Sequence, residues 1–173
     1  MSRLKLGVSA CLLGELTRYD GENKLDDNVR ALVAGLDVVA VCPEVEAGLP
    51  TPREPMQLVQ VGQSVRLLGV SSRQDFTSAL EALISRRLQA ITALALDGFV
   101  LKNRSPSCGL AGVPIFATSG EPIITGSGLF AAALTRAFPG MPIVEAEELQ
   151  VPRSRATFLA AAAAYHAARE AAT

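Results

Sequence analysis

The chain has 173 residues, with 16 basic and 17 acidic side chains and a formal net charge of -1. This length predicts one domain over residues 1–173, because it is sufficient for a sizeable core and short for two. The balanced charge excludes the basic surface typical of proteins that bind long nucleic acids or acidic membranes. Without a signal-peptide pattern or an apolar run of membrane-spanning length, the chain is expected to be cytoplasmic, with no membrane partner.

Strands and helices alternate in the predicted order of elements. Apolar or β-branched runs predict strands at residues 5–10, 37–41, 57–61, 65–70, 98–102, 113–118, 121–125 and 142–146. Helices are predicted to begin near Asp26 or Asp27, after Ser72 over residues 73–96, and at residues 129–137 and 153–172. This order predicts an α/β, three-layer sandwich with a mainly parallel, Rossmann-like sheet and an added β-hairpin at residues 57–70.

Three cysteines, Cys11, Cys42 and Cys108, each follow a strand-like run and precede a turn. The carboxyl ends of strands in an open α/β sheet meet at one crevice, so the three thiols are expected to converge there. Polar or turn-forming residues flank them: Ser9, Glu44, Ser105, Pro106, Ser107 and Gly109. Such neighbours are unusual for inert core thiols, and the pattern predicts a metal or cluster site with one coordination position left open.

The cysteine spacing distinguishes between several kinds of site. A phosphatase-like C-x5-R loop is excluded because Thr17 stands where the arginine belongs and Arg18 follows one place too late. A structural zinc site usually has four ligands and short C-x2-C pairs, neither of which is present. Three thiolates fit a catalytic zinc ion or an iron-sulfur cluster, and all-sulfur ligation favours the cluster. His166, the only histidine, is expected to be an ordinary helix residue.

A glycine-rich segment provides a second motif. Gly126, Gly128 and Ala131 match G-x-G-x-x-A between a predicted strand and a predicted helix, with Glu145 further along. The backbone amides of Gly126, Ser127 and Gly128 are predicted to bind a substrate phosphate, which would favour a nucleotide over a free base. The alternative is a tight turn that lets the helix pack against the sheet.

Three separated segments resemble the TudS-type thiouracil desulfidase family, formerly a domain of unknown function. They are SACLLG with RYDG, CPE with GLPTPREP, and LKNRSPSCG, and the similarity extends over roughly residues 6–147. The resemblance implies a 4Fe-4S cluster held by Cys11, Cys42 and Cys108, with one iron free to take the sulfur of a thiolated pyrimidine. The implied substrate is 4-thiouracil or its nucleotide, 4-thiouridine monophosphate, which would be hydrolysed to the uracil form with release of hydrogen sulfide.

The same resemblance implies an acidic residue and a serine as catalytic groups, which correspond to Glu44 and Ser105. Glu46 is an alternative to Glu44 because it lies two residues later in the same loop. Arg18 and Arg53 are predicted substrate-binding residues. Two other functions remain open: a three-cysteine zinc hydrolase, and a non-catalytic iron-sulfur or thiol redox sensor.

Overall fold

Residues 3–172, which the computed structural model describes, form two four-stranded sheets and five α-helices. The strands are β1 (Lys5–Ser9), β2 (Asp37–Val41), β3 (Met56–Val61), β4 (Ser64–Gly69), β5 (Gly98–Leu101), β6 (Val113–Phe116), β7 (Pro122–Gly126) and β8 (Ile143–Glu145). The helices are α1 (Asp27–Val33), α2 (Pro43–Glu46), α3 (Thr77–Leu94), α4 (Leu129–Ala137) and α5 (Pro152–Ala171). Within this part of the chain, no helix is both long and apolar enough to cross a membrane.

The main sheet is parallel, with the strand order β2-β1-β5-β8. Side chains alternate between its faces, so Val100 packs with α1 and α5 while Phe99 and Leu101 pack with α3 and α4. Helices therefore cover both faces of the sheet, which explains why its central strands are almost wholly apolar. The predicted α/β fold with a mainly parallel sheet is confirmed.

The second sheet has the order β4-β3-β6-β7 and contains the predicted hairpin. The strands predicted at residues 113–118 and 121–125 lie in this second sheet rather than in the main parallel sheet. β6 instead pairs in parallel with β3, where Leu58 is opposite Ile115, and β7 returns antiparallel to β6. Leu58 and Ile115 are buried in the cluster formed with α3 and α4, so burial of the hairpin's apolar face explains this second pairing.

The structure tests the predicted starts of two helices, α1 and α3. Asp26 caps α1 by accepting from the amides of Asn28 and Val29, as one of the two predicted alternatives requires. The predicted start of α3 after Ser72 is wrong. The chain there still returns along β4, since Phe76 N donates to Leu67 O at 2.9 Å, and α3 begins only at Thr77.

Candidate active site

Three neighbouring strands place the three cysteines around one cavity. Cys42 directly follows β2, Cys11 lies in the 3-10 turn that follows β1, and Cys108 lies in the loop after β5. All three line a cavity of about 240 Å³, and all three are free thiols. The structure therefore brings together the cysteines that the sequence places at strand ends, whereas their role as ligands stays a prediction.

Cys108 reaches the cavity through a folded loop, since it lies seven residues beyond the end of β5. Ser105 Oγ accepts from Cys108 N at 3.0 Å and from Ser107 N at 3.2 Å, and Ser105 O accepts from Gly109 N at 2.8 Å. α4 approaches the same loop so closely that a Cβ at Gly128 would lie 2.5 Å from the Ser107 carbonyl carbon. Glycine is needed there because any side chain would displace the segment that presents Cys108.

The predicted phosphate-binding segment is located behind this loop. Gly126, Ser127 and Gly128 do not line the cavity. Gly128 N donates to Gly109 O at 2.7 Å, and Ser127 Oγ donates to Leu110 O at 2.6 Å. This arrangement favours the alternative of a tight packing turn, because one of the three predicted amides, Gly128 N, and the Ser127 hydroxyl already hold the cysteine loop.

Burial raises the pKa of all three cysteine thiols. Cys11 has a pKa of about 11 instead of the ordinary 9.0, chiefly because burial disfavours the thiolate; Lys102 opposes the shift and Cys42 adds to it. Burial also raises the pKa of Cys42 and Cys108. The Lys102 ammonium is therefore a compensating charge for thiolates formed at Cys11 and Cys108.

Lys102 follows β5 and is itself partly removed from solvent. Burial lowers its pKa below the ordinary 10.5, and the Cys11 thiolate has the opposite effect. Lys102 Nζ donates to Asn103 O at 3.0 Å, which holds the ammonium at the cavity wall. Lys102 is not among the predicted site residues, because its only signal in the sequence is that a basic residue directly follows a strand.

Glu44, the predicted acid or base, lies on α2 and faces the cavity with both carboxylate oxygens anchored. Oε2 accepts from Arg53 Nε at 2.9 Å and from Arg53 Nη2 at 2.5 Å. Oε1 accepts from Ser107 Oγ at 2.8 Å. The side chains of Glu44 and Arg53 are 12% and 6% exposed, so the carboxylate is held in one orientation in a largely buried part of the cavity wall.

Arg53 connects this carboxylate to the segment that follows Cys11. Its Nη2 donates to Thr17 O at 2.9 Å, and its backbone amide donates to Tyr19 O at 2.7 Å. Arg18 also lines the cavity and forms an ion pair with Asp20 at 2.9 Å. Both predicted arginines therefore line the cavity. The Arg53 guanidinium donates to Glu44 and to Thr17 O, whereas Arg18 lies nearer to solvent.

The structure shows different contacts for two pairs of neighbouring residues of the same type: Glu44 and Glu46, and Ser105 and Ser107. Glu46 does not line the cavity: it accepts from Cys42 N at 3.2 Å and pairs with Arg87 at 3.3 Å. Ser107, which the sequence analysis did not select, contacts Glu44, whereas Ser105 holds the backbone of the loop. No sequence signal distinguishes the two serines of SPSC, because they have the same chemistry and lie two residues apart.

His166 is remote from the cavity and has a structural environment, as expected. Its Nδ1 lies 2.9 Å from Asp97 Oδ1, and Asp97 is 1% exposed beneath α5. Asp97 also accepts from Lys5 N at 2.8 Å. This cluster fixes the last helix to the start of the main sheet.

The donor set of the cavity fits an iron-sulfur cluster. Three thiols are the soft ligands that such clusters take, and Lys102 offsets part of their charge. Among residues 3–172, no three Cys, His, Asp or Glu side chains are grouped closely enough to hold one metal ion, so the fit to a cluster rests on the type of donor. Thr17 Oγ1 is buried in the same wall without a hydrogen-bond partner in the described chain, which leaves a polar group available there.

Comparison with known proteins identifies the family. The model of the 2-thiouracil desulfurase family matches residues 6–148. The chain belongs to the 2-thiouracil desulfurase family. This desulfurase-family chain is 32% identical over 147 residues to the uncharacterized protein YbbK of Bacillus subtilis (strain 168), a match that covers 82% of this chain and 95% of YbbK.

A solved structure of the 4Fe-4S-dependent thiouracil desulfidase TudS resembles this member of the 2-thiouracil desulfurase family in both sequence and fold. The two share 33% sequence identity with a TM-score of 0.69, and the match covers 90% of this chain and 97% of TudS. The family resemblance that the three motifs predicted is therefore confirmed.

Proposed function

We propose that this protein is an iron-sulfur-dependent desulfidase that hydrolyses the thiocarbonyl group of 4-thiouracil or its nucleotide. One observation carries this proposal: three free thiols, from the segments that follow three neighbouring strands, line one cavity beside an anchored carboxylate. The oxygen of water replaces sulfur, and both water hydrogens leave with the sulfur as hydrogen sulfide. Neither an oxidant nor a reductant is required.

Cys11, Cys42 and Cys108 would hold a 4Fe-4S cluster, as TudS, a structural relative, depends on one. When bound, a cluster with one iron that lacks a protein ligand supplies a Lewis acid for the thiocarbonyl sulfur. The buried thiols must release their protons when they bind metal, and Lys102 stabilises the resulting negative charge. The family of this chain and the three-thiol cavity both support this assignment.

Glu44 would act as the general acid and base. Two N–H groups of Arg53 occupy Oε2, whereas Oε1 accepts a single hydrogen bond from Ser107. Oε1 is therefore the less occupied carboxylate oxygen and is the atom that receives the proton released by the attacking water. Ser105 would contribute by fixing the loop that presents Cys108, because its hydroxyl accepts from the amides of Ser107 and Cys108.

Anaerobic reconstitution with iron and sulfide, followed by desalting, tests the proposed function. The reconstituted protein should form uracil and sulfide from 4-thiouracil in equal amounts over many turnovers. Zinc-loaded and metal-free protein provide the controls. Equal turnover by the zinc-loaded form would favour a zinc hydrolase, and a stable cluster without turnover would favour a redox sensor.

The choice between free base and nucleotide is tested by comparing 4-thiouracil with 4-thiouridine monophosphate. Arg18 lies in the cavity wall nearer to solvent, whereas Ser127 lies behind the cysteine loop. If the phosphate meets Arg18, Arg18→Ala should raise KM for the nucleotide and leave KM for the base unchanged. If it meets the glycine segment, Ser127→Ala should have that effect instead.

A further inference from the structure

We propose that Ser107 is a catalytic residue of this site, whose hydroxyl passes a proton between the attacking water and Glu44. Its neighbour Ser105 then has the different task of holding the loop that presents Cys108. This role rests on the proposed function and adds to it the path of the proton.

Ser107 is fixed at both ends of its backbone. Its amide donates to Ser105 Oγ at 3.2 Å, and its carbonyl accepts from Phe130 N at 3.0 Å and Ala131 N at 3.2 Å at the start of α4. The residue is only 1% exposed, yet it lines the cavity. Its hydroxyl is therefore a group of fixed position beside the space where substrate would bind.

The polarity of the hydroxyl suits a relay. A serine hydroxyl has one proton to donate and two lone pairs that accept. Ser107 Oγ donates its proton to Glu44 Oε1 at 2.8 Å, and within the described part of the chain it makes this one hydrogen bond. Its lone pairs remain available to a water in the cavity, so water, serine and carboxylate form a chain with every donor facing an acceptor.

The Ser105 hydroxyl accepts hydrogen bonds from the backbone, whereas the Ser107 hydroxyl donates one to a carboxylate. Ser105 Oγ accepts from two backbone amides, Ser107 N and Cys108 N, at 3.2 and 3.0 Å. Such a side-chain-to-backbone pattern stabilises a turn. Loss of this hydroxyl should therefore disturb the position of Cys108 first, while loss of the Ser107 hydroxyl should leave the loop in place.

The proton transfers balance. An O–H bond of water breaks as one forms on Ser107 Oγ, whose own proton moves to Glu44 Oε1, and the water oxygen bonds to the thiocarbonyl carbon. The carbon-sulfur π electrons move onto sulfur, which then receives the Glu44 proton back through Ser107. Breakage of the carbon-sulfur bond re-forms the carbonyl, and the proton of the added hydroxyl follows by the same path to complete hydrogen sulfide.

Single-turnover kinetics of the iron-loaded protein in mixtures of light and heavy water test the relay. The natural protein should show a curved dependence on deuterium content because two protons move together. Ser107→Ala should lower the rate constant by about 100-fold, the lower bound typical of general acid–base groups, with the half-saturating concentration nearly unchanged and a linear dependence on deuterium content. Ser105→Ala should keep the curved dependence, and any loss should parallel its iron content.

A double variant distinguishes a shared proton path from a general disturbance of the site. If Ser107 acts through Glu44, the double variant Ser107→Ala/Glu44→Gln should be no slower than Glu44→Gln alone. Independent effects would instead multiply. Thermal unfolding followed by circular dichroism shows whether each variant retains its fold.

Infrared spectra of the cluster-free protein provide a readout that needs neither cluster nor substrate. The difference between natural protein and Glu44→Gln identifies the carboxylate bands of Glu44. Ser107→Ala should displace these bands and Ser105→Ala should leave them in place. Unmoved bands in Ser107→Ala, or a larger rate loss for Ser105→Ala at full iron content, would overturn the relay; absence of sulfide release from the natural, iron-loaded protein would instead refute the proposed function.

Discussion

Replacing Arg53 with alanine should be among the most destabilising single changes at this site. The guanidinium is 6% exposed and supplies both hydrogen bonds to Glu44 Oε2, and Glu44 is 12% exposed. Arg53→Ala therefore leaves a nearly buried carboxylate with Ser107 as its remaining partner. It also removes the guanidinium donor to Thr17 O, which leaves the Cys42 thiol, at 3.8 Å, as the donor to that carbonyl.

The magnitude follows from the burial of the pair. Removal of one partner from a buried ion pair typically lowers the free energy of unfolding by about 3–5 kcal/mol, because the other charge stays desolvated and unpaired. The Arg104–Glu147 pair provides a matched control within the same chain, since its side chains are 70% and 58% exposed. Exposed pairs contribute only about 0–1 kcal/mol, so Arg104→Ala should change stability little.

Urea unfolding of the metal-free variants, followed by circular dichroism, measures this difference. Arg53→Ala in the Glu44→Gln background should be less destabilising than in the natural chain, because the amide needs no compensating charge. Equal costs for Arg53→Ala and Arg104→Ala would refute the account of a buried, anchored carboxylate. Full turnover by Arg53→Ala would refute the claim that this anchoring prepares Glu44 for catalysis.

Three further predictions follow from the cysteines and the glycine contact. Cys42→Ala should lose both the visible absorption of the cluster and turnover, and full iron content in this variant would contradict the three-ligand site. Because burial raises the pKa of Cys11 from 9.0 to about 11, the folded metal-free protein holds this proton more tightly than the unfolded chain. Its free energy of unfolding should therefore fall by about 2–3 kcal/mol as the pH rises from 9 to 11, measured by urea unfolding; a flat profile would contradict the burial of this thiol. Gly128→Ala should lower stability by about 1–3 kcal/mol and reduce iron loading, because its Cβ would lie 2.5 Å from the Ser107 carbonyl. Gly140→Ala, whose Cβ would lie 3.5 Å from the Tyr165 ring, is the harmless control, and equal effects of the two substitutions would contradict this explanation.

Elements with strong local signals are predictable from the sequence. The residues of α4 are predicted without error, because Gly128 and Phe138 flank a short run of good helix formers. The parallel strands that lead to Cys11 and Cys42 are also predicted, because their apolar runs are bounded by turn residues. Cysteine convergence then follows from the general geometry of parallel sheets.

Features that depend on distant contacts are not predictable in this way. β6 has an ordinary strand pattern, and only the buried packing of Ile115 beside Leu58 determines that it joins the second sheet. The glycine segment before α4 matches a phosphate-binding motif locally. Its hydrogen bonds to the Cys108 loop become visible only when the chain is folded.

The site chemistry was predictable to the level of residue type. Glu44 and Glu46 have the same chemistry in sequence, but they lie two residues apart on α2 and so face different partners, Arg53 and Arg87. Ser107 could not be distinguished from Ser105 because their roles differ only in which atom each hydroxyl meets. Such differences are set by tertiary geometry, which a local motif does not encode.

Turnover of 4-thiouracil by the iron-loaded protein in water enriched in oxygen-18 tests the central claim most directly. Hydrolysis at this site predicts one labelled oxygen per uracil formed, one sulfide per uracil, and dependence of both products on the intact cysteine set. Unlabelled uracil, or label and sulfide that persist when Cys11, Cys42 and Cys108 are all replaced, would contradict the account.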